Sequence, residues 1–260
     1  MRASRVLQKL RSGDFVKAAG ISRVTDPWLT EMVGRLGYDV IWFDMEHRAF
    51  GFDKIDPISL ACRATGIDLM VRVLKSGYHS PMRALEFGAN GIMVPHCRSA
   101  AEAQQWVEWV RFPPLGKRGF DGAGADADYG FMPPLEHIKS GNEEVFLALQ
   151  IEDKEAVECV EEIAAVPGVD LLFVGPADLT LSYGVPFEFN HPVFQKAIDR
   201  VANAAAKTGK WWGTTTASPA DAQKAIDRGA RMITAGGDHT FLMQGFKKAI
   251  AEFSEVRVRK

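Results

Sequence analysis

The strongest constraint on this chain is a series of short apolar runs, rich in β-branched and aromatic residues, that recur along its whole length. They occupy residues 15–18, 40–43, 69–73, 91–94, 146–151, 171–174, 211–216 and 232–235. Runs this short read as buried strands, and the segments between them carry a helical period and helix start signals. Asp26-Pro27, Ser80-Pro81 and Ser218-Pro219 each set an N-cap residue before a first-turn proline, and Ser99 with Glu102 makes a capping box. Strands alternating with helices imply a parallel sheet. Eight such units in 260 residues fit an α/β fold of the closed (β/α)8 TIM barrel type better than an open doubly wound sheet. The first strand is not followed by G-x-G-x-x-G, which weakens a dinucleotide-binding reading further. No boundary interrupts the pattern, so residues 1–260 are expected to form a single barrel domain.

Two helices and one connection lie outside the eight-fold scheme. A polar helix over residues 4–11, ended by Gly13, is expected to precede the first strand and close the barrel floor. A last helix from about Asp238 carries Phe241, Leu242, Phe246, Ile250 and Phe253 at helical spacing, an apolar face in need of a partner. The connection over residues 112–142 is rich in Gly, Pro and Asp, with one helical turn expected near residues 134–139; loops this long are functional or disordered.

With 31 Lys+Arg against 33 Asp+Glu the formal charge is −2, which supplies no field to gather nucleic acid or an anionic membrane. The longest apolar run, residues 145–151, falls far short of the ~18 residues of a membrane span, and no signal-peptide segment opens the chain. A cytoplasmic protein is expected. Cys62, Cys97 and Cys159 are odd in number and form no C-x-x-C, so they read as buried thiols.

In a barrel of this kind chemistry sits at the C-terminal ends of the strands, so the polar residues just after each apolar run are the candidates. Strand 2 ends in Asp44-Met45-Glu46-His47, strand 3 in Arg72, strand 4 in His96, strand 5 in Gln150 and Glu152, strand 6 in Gly175-Pro176-Ala177-Asp178, and strand 7 in residues 214–216, with Thr215 a candidate substrate contact. Glu152 and Asp178 end consecutive strands, and Gln150 shares a strand face with Glu152 by the period of two. Neighbouring carboxylates repel unless a cation or a shared proton lies between them. Oxygen-only ligands suit Mg2+ or Mn2+, with Co2+ a third candidate; the alternative is that both residues merely cap the following helices.

Asp44, Glu46 and His47 form a second acidic cluster in which an imidazole gains basicity suited to proton transfer. The plainer alternative makes Asp44 a helix cap and His47 an exposed loop residue. Arg72 ends an apolar strand, where a guanidinium needs an anion, either a ligand or Asp44 or Glu46. His96 is a weaker candidate, read as packing or as support for the site. His79, His137 and His191 are expected at the surface, Asp238-His239 at the start of the last helix, and Trp106 and Trp109 in packing.

Assembled, these residues resemble the HpcH/HpaI aldolase family, the class II pyruvate-dependent aldolases. The resemblance rests on G-Y-D-V-I-W-F-D-M-E-H ending at His47, V-R at Arg72, E-F-G from Glu86, V-P at Pro95, R-F-P-P-L-G-K-R-G ending at Gly119, L-Q-I-E ending at Glu152 and G-V-D-L-L-F-V-G-P-A-D-L ending at Leu179. It runs through nearly the whole chain. The resemblance implies a divalent metal on Glu152 and Asp178 and no organic cofactor, His47 as catalytic base, Arg72 as the cation facing an enolate, and substrate contacts from Gln150 and Ala177. The turn Gly175-Pro176-Ala177-Asp178 would present N–H groups to a pyruvate carboxylate. The implied reaction is aldol cleavage and condensation of 4-hydroxy-2-oxo acids through a pyruvate enolate.

The family commonly has Asp at the position of Glu86, supplied by an adjacent subunit to raise the basicity of the histidine; here it is one methylene longer. Glu86 is expected at the floor end of a helix, out of reach of its own mouth. The resemblance therefore implies a homo-oligomer, a hexamer built as a trimer of dimers, with the last helix exchanged. Relatives acting on acidic aldehydes tend to carry Ser and Arg after Arg118-Gly119, whereas this chain has Asp121, Asp126 and Asp128. If that loop reaches a mouth, it favours a neutral or hydroxylated acceptor; if it lies on the floor, it is a solvated loop. Another carbon–carbon lyase or a citrate-forming synthase on the same barrel is the main alternative. A noncatalytic ligand-binding barrel is a second one, disfavoured because a binding module needs no base.

Overall fold

A computed structural model describes residues 1–254 and 256–258. Eight parallel strands close on one another in chain order, β1 back to β8. The strands are β1 Val16–Ile21, β2 Val40–Asp44, β3 Asp68–Arg72, β4 Gly91–Val94, β5 Phe146–Ile151, β6 Leu171–Val174, β7 Trp211–Thr215 and β8 Met232–Gly237. The helices, in chain order, are α1 Arg5–Arg11, α2 Pro27–Arg35, α3 Ile55–Thr65, α4 His79–Glu86, α5 Ala100–Val110 and α6 Pro134–Glu143. They continue as α7 Lys154–Glu158, α8 Val160–Ala165, α9 Pro176–Ser182, α10 Pro192–Thr208, α11 Pro219–Asp227 and α12 Asp238–Phe253. Among the described residues no helix is long and apolar enough to cross a membrane.

The alternation of each strand divides its side chains between two cores. Val40, Met70, Met93, Phe146, Phe173 and Met232 point inward and fill the barrel, while the opposite faces meet the helices in a second, larger cluster. Volume is matched across adjacent strands: Gly91 lies against the Phe146 ring and Gly213 against Met232, so that a Cβ at either would overlap its neighbour. The floor is plugged by α1. Its N-cap Ser4 accepts from the Leu7 N–H, and Val6, Leu7 and Leu10 join the inward cluster. Salt links at the strand starts hold the plug in place. Arg5 and Lys9 pair with the buried Asp39 at 2.9 and 3.0 Å, and Arg2 pairs with Asp68 at 3.3 Å.

Four expectations about the fold need correction. Ser80 does not cap a helix, because α4 already begins at His79, with Tyr78 as its N-cap and Ser80-Pro81 inside its first turn. The first strand begins at Val16 rather than Phe15, which is exposed, and runs on to Ile21. The helical turn near residues 134–139 is a ten-residue helix, α6. His137 is buried: it packs edge-on against Phe112, and its Nε2 lies 3.0 Å from Asp126 Oδ2. His79 is exposed and His191 caps α10. The cysteines are free thiols, with Cys62 and Cys97 buried and Cys159 only partly so.

α12 leaves the barrel. Asp238 is its one buried residue, and its main contacts run to β1 and β8. Phe246, Ile250 and Phe253 are about 70% exposed.

Candidate active site

Arg72 ends β3 directly opposite Asp44 at the end of β2, because the two strands pair in register there. The guanidinium grips that carboxylate with two prongs, Nε to Oδ1 and Nη2 to Oδ2, both at 2.9 Å. Its remaining nitrogen, Nη1, lies 3.0 Å from Glu46 Oε2 and 3.4 Å from Gln150 Oε1. The Trp42 ring lies beneath it, 5.1 Å from centroid to guanidinium carbon, and is itself set by an edge contact with Phe173. The anion expected for Arg72 is thus both Asp44 and Glu46. Burial works to raise the Asp44 carboxyl, but hydrogen bonds and charge from Arg72 and the His47 N–H outweigh it and hold the group below its ordinary value.

Gln150 and Glu152, two residues apart on β5, continue the chain of contacts. Gln150 accepts a hydrogen bond from Arg72 on its oxygen, and its amide nitrogen donates to Glu152 Oε2 at 3.0 Å. The other Glu152 oxygen accepts the His96 N–H at 2.8 Å. Gly175 lies so close to this carboxylate that a side chain there would occupy its place. Burial pushes the Glu152 carboxyl up to about 7; the His96 N–H and ring pull it down, and the negative charges of Asp178 and Glu46 push it further up. Asp178 lies in the first turn of α9, half-buried, beside Pro176 and Ala177.

The donor set fits a hard divalent ion. Glu152 and Asp178 are carboxylates whose mutual repulsion a cation would relieve, and each Glu152 oxygen, with one donor, retains a lone pair. No preformed group of three His, Cys, Asp or Glu ligands occurs among the described residues, so remaining positions would fall to water or substrate.

His47 lies in the loop after β2, its side chain 55% exposed and its Nε2 3.7 Å from Glu46 Oε2. Across the mouth, His96 Nε2 lies 3.8 Å from Glu46 Oε1, while its Nδ1 lies 3.1 Å from Asp153 Oδ2. Glu46 therefore sits among Arg72, His47 and His96. Thr215 ends β7, half-buried, paired with Thr234; alternation from Trp211 and Gly213 turns it inward. His96 was expected as packing or as support for the site, whereas Trp42 and Asp153 were not singled out from sequence as parts of it. The signal for Trp42 was available, since it lies two residues before Asp44 on the same strand face.

Glu86 is not at this mouth. It ends α4, half-buried, and burial with Asp121 and Asp126 nearby raises its carboxyl against the pull of Arg118. The Asp-rich loop runs beside α4: the Gly119 N–H donates to Tyr78 Oη at the start of that helix, and Gly124 packs on the Glu86 backbone at its end. Asp126 is buried against Arg118 and His137, and Asp128 lies 3.6 Å from Arg63. Neither carboxylate reaches the mouth of its own barrel, because each is held by a cation of the outer helical layer.

Residues 22–244 match the HpcH/HpaI aldolase/citrate lyase family. A 2-keto-3-deoxy-L-rhamnonate aldolase of Salmonella gallinarum is 29% identical over 249 residues, 95% of this chain and 92% of its own. Among solved structures, an HpcH/HpaI aldolase from Desulfitobacterium hafniense superposes with a TM-score of 0.92 at 30% identity, covering 96% of this chain and 97% of that one. The citrate synthase SbnG superposes with a TM-score of 0.87 at 25% identity, covering 95% and 96%.

Proposed function

The chain belongs to the HpcH/HpaI aldolase/citrate lyase family, and on that premise we propose that it is a metal-dependent carbon–carbon lyase. It cleaves 4-hydroxy-2-oxo acids to pyruvate and a small neutral or hydroxylated aldehyde, and catalyses the reverse condensation. The observation that carries this reading is the continuous polar chain from Asp44 through Arg72 and Gln150 to Glu152, with an exposed imidazole at its rim. Asp44 and Glu46 pin the guanidinium, so that it faces the developing enolate charge without having to reorganise. His47 moves the pyruvate methyl proton, being the accessible base of the mouth. N–H groups of the turn from Gly175 through Ala177 to Asp178 take the pyruvate carboxylate, and Thr215 borders the same space. A divalent cation on Glu152 and Asp178, Mg2+ or Mn2+, would polarise the keto oxygen as a Lewis acid.

The active form is a homo-oligomer with α12 exchanged, which covers the apolar face of that helix and brings Glu86 of one copy toward the mouth of another. The aldehyde binds between copies, beyond the pyruvate.

Deuterium exchange into the pyruvate methyl group tests the reading. Exchange is expected with Mg2+ or Mn2+, and its loss on chelation and in Glu152→Ala and Asp178→Ala. Full exchange in both variants would remove the metal assignment. A second reading is favoured by the likeness to a citrate synthase: the same enolate chemistry directed at another carbon–carbon bond. Turnover of oxaloacetate with acetyl-CoA but not of pyruvate with aldehydes would select it.

A further inference from the structure

Nothing in the chemistry above accounts for the backbone of His96. It follows Pro95 just beyond β4 and has φ of 47°, in the left-handed region, which costs a residue with a Cβ roughly 1–2 kcal/mol. Strain of this kind persists only where surrounding contacts hold it, and here they do so from both sides. The His96 N–H donates to Glu152 Oε1 at 2.8 Å, and the next N–H, that of Cys97, donates to the Gln150 carbonyl at 3.2 Å. The imidazole points to Asp153, which Arg98 anchors through Nε and Nη2, both at 3.0 Å.

Glu152 is buried; among the described residues its other hydrogen bond comes from the Gln150 amide on its other oxygen, with the bare backbone of Gly175 alongside and the His96 ring nitrogen Nδ1 3.6 Å from Oε1. The left-handed turn therefore supplies the second fixed donor on this carboxylate. It leaves one lone pair on each oxygen free.

We infer that His96 is a positioning residue, whose left-handed turn aims a backbone N–H at Glu152 and so sets that carboxylate for a divalent cation. The inference rests on the metal reading proposed above and adds to it a residue that acts through Glu152.

The turn, not the ring, carries the effect, so substitutions should rank by their tolerance of positive φ: glycine adopts it freely, asparagine readily, alanine poorly and valine worst. Mn2+ affinity of the metal-free protein, measured by calorimetry, should stay within about threefold of the parent in His96→Gly and His96→Asn and weaken roughly tenfold or more in His96→Ala and His96→Val. Equal affinity in all four variants would overturn the proposal, as would a loss in His96→Gly as large as that in His96→Ala.

Two measurements on Glu152→Ala separate this idea from its premise. Undiminished Mn2+ binding in that variant removes the metal assignment itself. Independently of metal, the amide hydrogen of residue 96 should exchange faster with solvent once Glu152 is gone, and an unchanged exchange rate would show that the turn does not hold the carboxylate.

Discussion

At the scale of single residues the mouth is governed by how one buried cation is satisfied. Arg72 makes two parallel bonds to Asp44 and has a nitrogen left for Glu46 and Gln150. Only a planar fork can do all of this. Lysine at the same place would meet one carboxylate and leave the other buried and unpaired. Arg72→Lys should therefore lower kcat/KM by about 10²-fold or more, with fold stability affected far less; activity within a few-fold of the parent would contradict the role given to the guanidinium. The sequence showed that an arginine ending an apolar strand needs an anion. It did not show which of two candidates would serve, since strand register, and not spacing, brings Asp44 opposite and loops Glu46 over the top. His96 was less legible still, because its role lies in a backbone angle that no side-chain pattern announces.

Among elements, the junction of the last helix with the first strand is held by one carboxylate. Asp238, the first residue of α12, accepts the backbone N–H groups of Ser22, Arg23 and Val24 and that of His239. Burial alone would raise its carboxyl, but these donors outweigh it and hold the group below its ordinary value. A carboxylate depressed in the folded state adds stability at pH above its unfolded value of about 3.9, and that stability is lost as pH falls through the folded value. Asp238→Ala should lower stability by about 2 kcal/mol near neutrality, and the gap to the parent should close below pH 4. Urea midpoints at both pH values check this; a gap that persists in acid would assign the loss to packing instead.

The long connection after α5 shows the opposite side of legibility. Its Gly and Asp content marked it as irregular, yet Asp126, Arg118 and His137 form a buried cluster within it. A histidine near a helix start reads as exposed when nothing local covers it. Here Phe112 and Phe120 cover it from elsewhere in the connection.

For the whole molecule, the open question in the sequence was what an apolar last helix would pack against. In the barrel it packs against almost nothing: Phe246, Ile250 and Phe253 face outward together. An apolar stripe of that size marks an interaction surface, and the exchange between copies proposed above would cover it while carrying Glu86 toward a second mouth. Phe246→Asp with Ile250→Asp should shift the protein to smaller species by light scattering and reduce aldol turnover with it. A doubly substituted monomer with full activity would show that each mouth is complete on its own.

The sequence by itself determined the barrel, its plugged floor and the strand ends that gather the candidate polar residues. Each of these follows from short-range periodicity, capping and the rule that parallel strands end on one side. The tertiary structure alone decided that Asp44 and Glu46 share Arg72, that a strained turn supports Glu152, and that Asp126 and Asp128 face away from their own mouth. These depend on register, backbone angle and the course of a loop across the helical layer, which are set by contacts between residues far apart in the chain.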